Sequence, residues 1–257
     1  MSALSARSLP GLPEIAAGAD LGALIAQAAG SADEPLDGET IVVVAHKAVS
    51  KAEGAVVSLA DVTAGARASE LARELGKDAR AVQVVLDQSS EILRAERGVI
   101  IARTHHGLVC ANAGVDASNA ARPDTLIVLP ADPDASARRL RARLRELTGA
   151  GGEGAAAVLI TDSFGRAWRQ GQCDVAIGCA GVEALDDWRG RRDSVGLELN
   201  ATWLATADAI AATADLARSK DSREPVVIVR GLGRHVTAQD GPGAVALLRP
   251  LSEDMFR

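Results

Sequence analysis

Apolar runs and helical-period stretches take turns along the chain, and their spacing predicts its elements. Leu21, Leu24, Ile25 and Ala28 fall on one face between Asp20, a natural N-cap, and Gly30, which predicts a short helix over 20–30. Thr40–Ala45 (TIVVVA) is apolar throughout and reads as a buried strand. Ala64–Gly76, rich in Ala, Glu and Arg, is expected as a helix that stops at Gly76. A further helix is expected over 79–95, with Val82, Val85, Leu86 and Leu93 toward the core. Val99–Arg103 and Leu108–Ala111 read as a strand pair around His105-His106-Gly107, and Leu126–Leu129 as a strand closed by Pro130. Residues 133–149 carry a strong helical pattern with an Arg-rich outer face. Strands are expected at 156–161, 175–177, 226–230 and 244–248, and a long Ala-rich helix over 202–216. Strands and helices alternate irregularly, with hairpin-like pairs, so the expected class is α+β rather than a regular doubly wound sheet. The glycine-rich run Gly149–Gly154 is a flexible link, so the single domain 1–257 is expected to hold two subdomains with a boundary near 149–155.

Composition narrows the possible functions. A chain of 257 residues suggests one or two domains, and an apolar share of 47% is enough for a sizeable core. That share is mostly Ala, Val, Leu and Ile, with no Tyr, two Phe and three Trp. So few aromatic rings argue against base-stacking platforms, and a net charge of −6 also disfavours nucleic acid. A small anionic substrate stays compatible, because a local metal or Lys reverses the field. Cys110, Cys173 and Cys179 are odd in number and show no C-x-x-C spacing, so a disulfide framework or zinc site is not expected. The opening MSALSARSLPG has no apolar segment of the secretory kind, and no run reaches membrane-spanning length. The expectation is a cytoplasmic protein with reduced thiols and no membrane partner.

Two stretches carry chemistry. In Cys110–Asn119 (CANAGVDASN), a small-residue loop offers the carboxylate of Asp116 and the amide of Asn119. In Ile160–Gly178 (ITDSFGRAWRQGQCDVAIG), Asp162 and Ser163 come at the end of an apolar run. Oxygen-rich turns fed by buried strands suit Mg²⁺ or Mn²⁺, which take carboxylates, hydroxyls and water and share the site with a substrate phosphate. Asp116 is also a natural turn residue, and Asp162 a natural cap for a short helical turn. Lys51, just past the strand ending at Ala45, can set its ammonium against nucleotide phosphates; otherwise it is a solvated lysine. No Walker loop is present, and Gly231-Leu232-Gly233 lacks the third glycine of a dinucleotide fingerprint, since Val236 holds that place. His46 could reach a nucleotide or make an ordinary polar contact. His105 and His106 would face opposite sides of a strand, Cys110 is simplest as a buried small residue, and the three Trp are expected in the core, with Trp168 able to wall a flat ring.

Together CANAGVDASN, ITDSFGRAWRQGQCDVAIG, VSKAEG, the opening LPGLPEI and the ending LLRPLSEDMFR resemble the coenzyme F420:L-glutamate ligases over nearly the whole chain, in the stand-alone form. The resemblance implies an unusual mixed-sheet α+β fold, a homodimer, and a ligase in coenzyme F420 biosynthesis. It would use GTP to turn the phospholactate carboxylate of the deazaflavin F420-0 into an acyl phosphate, which the amine of L-glutamate attacks. Further rounds would add γ-linked glutamates. The resemblance also implies catalytic roles for Asp116, Asp162 and Lys51. Two divalent ions, Mg²⁺ or Mn²⁺, would be held by Asp116, Asp162 and Ser163, with K⁺ as a further candidate ion. GTP would be contacted by Leu12, Pro13, Glu14, Ile15, His46, Lys51 and Asn119, and by Ser219 and Lys220 in the loop after the long helix. Ser163 stands where the family has Thr, and His46 where a smaller or amide residue is expected. A nucleotide- or deazaflavin-binding protein without catalysis, and a ligase with another carboxylate acceptor, are the alternatives.

Overall fold

The computed structural model describes residues 3–118, 124–149, 154–219 and 221–254. A five-stranded sheet frames the molecule in the order Ser5–Ser8 (β1), Val226–Arg230 (β12), Ile41–Ala45 (β2), Ala157–Arg166 (β8) and Arg169–Ala180 (β9). Strands β2 and β8 run parallel, and every other neighbour in this sheet is antiparallel. The sheet is therefore mixed, and the fold is α+β.

The continuous apolar run of β2 has a direct cause, since both of its faces are covered. Val42 and Val44 face the helices Leu21–Ser31 (α1) and Pro133–Thr148 (α5), through Ile25, Leu140 and Leu144. Ile41 and Val43 face the helix Thr206–Asp215 (α6), through Ala207, Ile210 and Ala211. Full burial of such side chains contributes roughly 1.5–3 kcal/mol each. Asp20 caps α1 by accepting from the Ala23 N–H at 3.0 Å, and Asp132 caps α5 by accepting from Ala135 at 2.9 Å, with Pro133 in the first turn. The outer face of α5 is less uniformly Arg-rich than its pattern predicts. Arg141 is buried, and donates to the Ala156 and Thr237 carbonyls and to Asp240.

A separate core lies between β2 and α5 in the chain. Ala66–Leu75 (α3) and Ala79–Asp87 (α4) pack on an antiparallel sheet of Ser89–Glu96 (β4), Val99–Thr104 (β5) and Val109–Ala111 (β6). The helix expected over 79–95 thus ends at Asp87, and its second half is β4. Arg97 and Gly98, with φ of 53° and 76°, form a two-residue turn that folds β4 onto β5. Leu93, expected in the core, is 38% exposed. Val56–Ser58 (β3) pairs with Thr125–Ile127 (β7), and Asp186–Asp187 (β10) with Trp203–Leu204 (β11).

Other expectations are corrected. His105 and His106 lie in the turn between β5 and β6, not within a strand. Residues 244–247 form a 3-10 turn instead of a strand, because the Asp134 carboxylate takes the N–H groups of Ala244 and Val245 that a strand neighbour would need. The long Ala-rich helix starts only at Thr206. The three Trp stay out of the core. Trp168 is 83% exposed at the β8–β9 hairpin tip, Trp203 lies under the Arg189 guanidinium at 4.2 Å, and Trp188 donates to Asp186 at 2.7 Å. Alanines such as Ala137, Ala207 and Ala211 bring the helices close onto the sheet. The run 149–155 joins α5 to β8, two elements that share one core, and β8 pairs with β2 from far earlier in the chain. Among the described residues no helix is long and apolar enough to cross a membrane.

Candidate functional site

The parallel pairing of β2 and β8 decides where chemistry can gather. Ala45 lies opposite Thr161, so β2 ends beside the middle of β8, and its carboxyl end opens the kind of crevice where parallel sheets hold ligands. Beyond that end β2 turns at once into the helix His46–Ala52 (α2), while β8 continues through Asp162 and Ser163. His46 and Asp162 come side by side, with Nε2 and Oδ1 3.3 Å apart. The imidazole is 2% exposed, and its Nδ1 lies 3.3 Å from Ser50 Oγ, one turn along α2. The Nε2–Oδ1 approach is not aligned as a hydrogen bond, so Nε2 is buried without a hydrogen-bond partner.

Helix α2 also carries two lysines four residues apart on one face. Lys47 Nζ lies 2.6 Å from Asp116 Oδ2 and donates to Ser118 Oγ at 2.6 Å. Lys51 Nζ lies 2.5 Å from Glu14 Oε1, which ties α2 to the segment Leu12–Ile15. Within that segment Ile15 is buried, Leu12 is half-buried against the core, and Pro13 is exposed. Asp116 is held by a two-way backbone bridge to Ile127, and its Oδ1 accepts from the Ser118 N–H at 2.6 Å. Burial pushes the Asp116 carboxyl up, but Lys47 and the Ser118 N–H outweigh it and hold the carboxyl below its ordinary range.

A buried network stands behind Ser163. Ser163 and Asp174 are partners across the β8–β9 hairpin. Ser163 Oγ donates to Asp174 Oδ1 at 2.6 Å, and Thr161 Oγ1 donates to Oδ2 at 2.8 Å. The Arg218 guanidinium forms an ion pair with the same carboxylate and donates to Thr161 Oγ1 at 2.9 Å and to the Pro225 carbonyl at 3.2 Å. Arg218 thereby anchors the loop after α6 to the site, with Ser219 exposed beside it. The Cys110 thiol is pushed up to about 12, first by burial and then by the charge of Asp162, which sets Asp162 beside β6.

Asn119 and Lys220 lie outside the described residues. Lys47, Asp174 and Arg218 join the site without having stood out in the sequence. Lys47 was legible as the first lysine of a four-residue pair in HKAVSK, but Asp174 and Arg218 need the hairpin register and the fold. Among the described residues no three His, Cys, Asp or Glu side chains stand together to hold an ion alone. Asp162 and Ser163 offer a carboxylate and a hydroxyl on adjacent residues, and the buried Nε2 of His46, without a hydrogen-bond partner, lies 3.3 Å from Asp162 Oδ1. One or two carboxylates completed by a substrate's oxygens is how Mg²⁺-type ions are ordinarily held, so this donor set fits such an ion.

The family model described as F420-0:Gamma-glutamyl ligase matches residues 11–231. The chain is 45% identical over 242 residues to a coenzyme F420:L-glutamate ligase of Methanopyrus kandleri, covering 93% of this chain and 92% of that protein. It is 40% identical over 256 residues to a protein of the same name from Methanothermobacter thermautotrophicus, covering 99% of each. A third such ligase, from Methanocaldococcus jannaschii, is 40% identical over 88% of each chain.

Proposed function

The chain belongs to the F420-0:gamma-glutamyl ligase family, and from that premise we propose that it uses GTP to join L-glutamate to the carboxylate of the deazaflavin coenzyme F420-0. The observation that carries this reading is the meeting of α2, with His46, Lys47 and Lys51, and the Asp162–Ser163 step of β8 where β2 ends.

A carboxylate is a poor electrophile until one of its oxygens becomes a leaving group. An oxygen of the substrate carboxylate attacks the γ-phosphorus of GTP, the bond to the GDP oxygen breaks, and an acyl phosphate forms. The α-amine of L-glutamate then attacks the acyl carbon. The C–O bond to phosphate breaks, giving an amide, inorganic phosphate and a proton. Phosphoryl transfer of this kind depends on positioning and charge neutralisation more than on covalent help from the protein. Lys51 and Lys47 present two ammonium groups to the triphosphate from one helix face. Leu12, Pro13, Glu14 and Ile15 line the nucleotide beside them, with Asn119, Ser219 and Lys220 as further nucleotide contacts. Asp116, Asp162 and Ser163 would hold two divalent ions, Mg²⁺ or Mn²⁺, which when bound draw charge from the phosphate and acceptor oxygens. K⁺ is a further candidate ion. The donation of the Ser163 hydrogen to Asp174 supports this role, because it turns the oxygen lone pairs of Ser163 outward. The protein acts as a homodimer in this reading, and the exposed Val195, Leu197 and Leu204 supply apolar surface for it.

The test is mass spectrometry of purified protein with glutamate-free deazaflavin, GTP, L-glutamate and Mg²⁺ or Mn²⁺. Product heavier by whole glutamyl units, and only with GTP and metal, is the expected result. Absence of such product with nucleotide binding intact would move the reading to another acceptor or to a binding role.

A further inference from the structure

The buried imidazole of His46, which the resemblance sets at the nucleotide, takes no part in the phosphoryl transfer derived above. Its Nε2 has no hydrogen-bond partner, although burying an unpaired polar atom costs about 1–3 kcal/mol. That atom faces Asp162 Oδ1 at 3.3 Å. We propose that His46 Nε2 is a ligand of the divalent ion held by Asp162, so that the site binds a first-row transition dication in preference to Mg²⁺. This rests on the reading of Asp162 as a metal ligand.

Three observations carry it. An octahedral ion bonded at about 2.1 Å holds adjacent donor atoms about 3 Å apart, close to the His46–Asp162 separation. A metal-bound imidazole ordinarily donates its other N–H to a neighbouring acceptor, which fixes the ring, and Ser50 Oγ at 3.3 Å from Nδ1 fills that place. The register of β2 on β8 locks the backbone behind both residues, so the two donors are set before any ion arrives. An imidazole ligand then biases the choice of ion. Mg²⁺ favours oxygen and keeps its waters, whereas affinity for nitrogen rises along the transition series from Mn²⁺ to Co²⁺ and beyond.

The experiment is pulsed EPR of Mn²⁺ bound to the full chain without nucleotide, prepared with natural histidine and with ¹⁵N-histidine. The expected spectrum shows a directly bound nitrogen whose coupling changes with the label and vanishes in His46→Gln. The Mn²⁺ dissociation constant of that variant should rise about tenfold or more, since loss of groups that merely support a ligand already costs 10–100-fold. Its Mg²⁺ dissociation constant should change much less. Mn²⁺ that binds, is lost in Asp162→Asn, and shows no histidine nitrogen overturns the proposal while leaving Asp162 as a ligand. Failure of the chain to bind Mn²⁺ at all overturns both.

Discussion

Lys47 Nζ sits 2.6 Å from Asp116 Oδ2, so a carboxylate with the residue type of a metal ligand is held by a lysine from the neighbouring helix. In the proposed reaction a cation at Asp116 would meet an ammonium already in place, and Lys47 would then be free to turn toward the phosphates. In Lys47→Met the KM for GTP should rise about 10–100-fold, the range expected for one charge-assisted hydrogen bond. Mn²⁺ affinity should hold or tighten, because its competitor is gone. Isothermal titration with each ligand separates the two, and a parallel loss of both would reduce Lys47 to a structural prop.

Asp162→Asn keeps the oxygen that accepts from the Ser163 N–H at 2.8 Å, so β8 should survive the change. Turnover should fall by about a hundred- to a thousandfold, in line with loss of a group that stabilises developing charge. Circular dichroism and melting temperature should stay close to those of the parent. Full activity in this variant, or in Asp116→Asn, would remove the metal assignment.

The Asp174 side chain has no solvent exposure and is neutralised by Arg218. Removing one partner leaves a buried charge, which costs about 3–5 kcal/mol, whereas removing both costs far less. Arg218→Met should therefore lower the melting temperature by on the order of 10 °C. The double variant Arg218→Met/Asp174→Leu should recover much of that loss. Calorimetry of the two single variants and the double variant gives the coupling directly.

A Cβ built on Gly178 would lie 2.4 Å from the backbone carbonyl of Pro133, where β9 touches the start of α5. No side-chain rotation relieves that contact. Gly178→Ala should destabilise by about 1–3 kcal/mol through overpacking, read as a shift in the urea midpoint with an unchanged slope.

Burial raises the Asp208 carboxyl above its ordinary value, against the opposing hydrogen bond from the Ala176 N–H. The native state then holds a proton that the unfolded chain has lost, so stability falls as pH rises from about 3.9 through the raised native value. Asp208→Asn keeps an acceptor for Ala176 and removes the ionisation. The melting temperature of the variant should exceed the parent's by more at pH 7 than at pH 4, and an equal difference at both would refute the linkage.

Much of this was legible in the chain, and the residues show why. TIVVVA, the Asp20 cap, the helical pattern of 133–149 and the glycines at 76 and 149 are local signals, and they predicted β2, α1, α5 and the helix ends correctly. The error at 79–95 came from a run whose apolar spacing suits a helix, while a two-residue turn at Arg97-Gly98 made its second half a strand. Residues 244–248 failed for a different reason, since a side chain from α5 took the hydrogen bonds that their apolar pattern promised to a sheet. In the site, Asp162, Ser163, Asp116 and Lys51 stood out because their residue types carry chemistry by themselves. Arg218 and Asp174 carry it only as a pair, and nothing local joins two residues from a hairpin and a distant loop.

The parallel seam between β2 and β8 joins segments separated by on the order of a hundred residues, with the α3–β6 unit made in between. On a ribosome, His46, Lys47 and Lys51 emerge long before Asp162 and Ser163 exist, while α3, α4 and their hairpins can settle at once from near neighbours. The edge where β2 and β8 meet is thus completed late in synthesis. Its β8 side does not exist until nearly two-thirds of the chain has been made, and β12, which flanks β2 on the other side, follows later still.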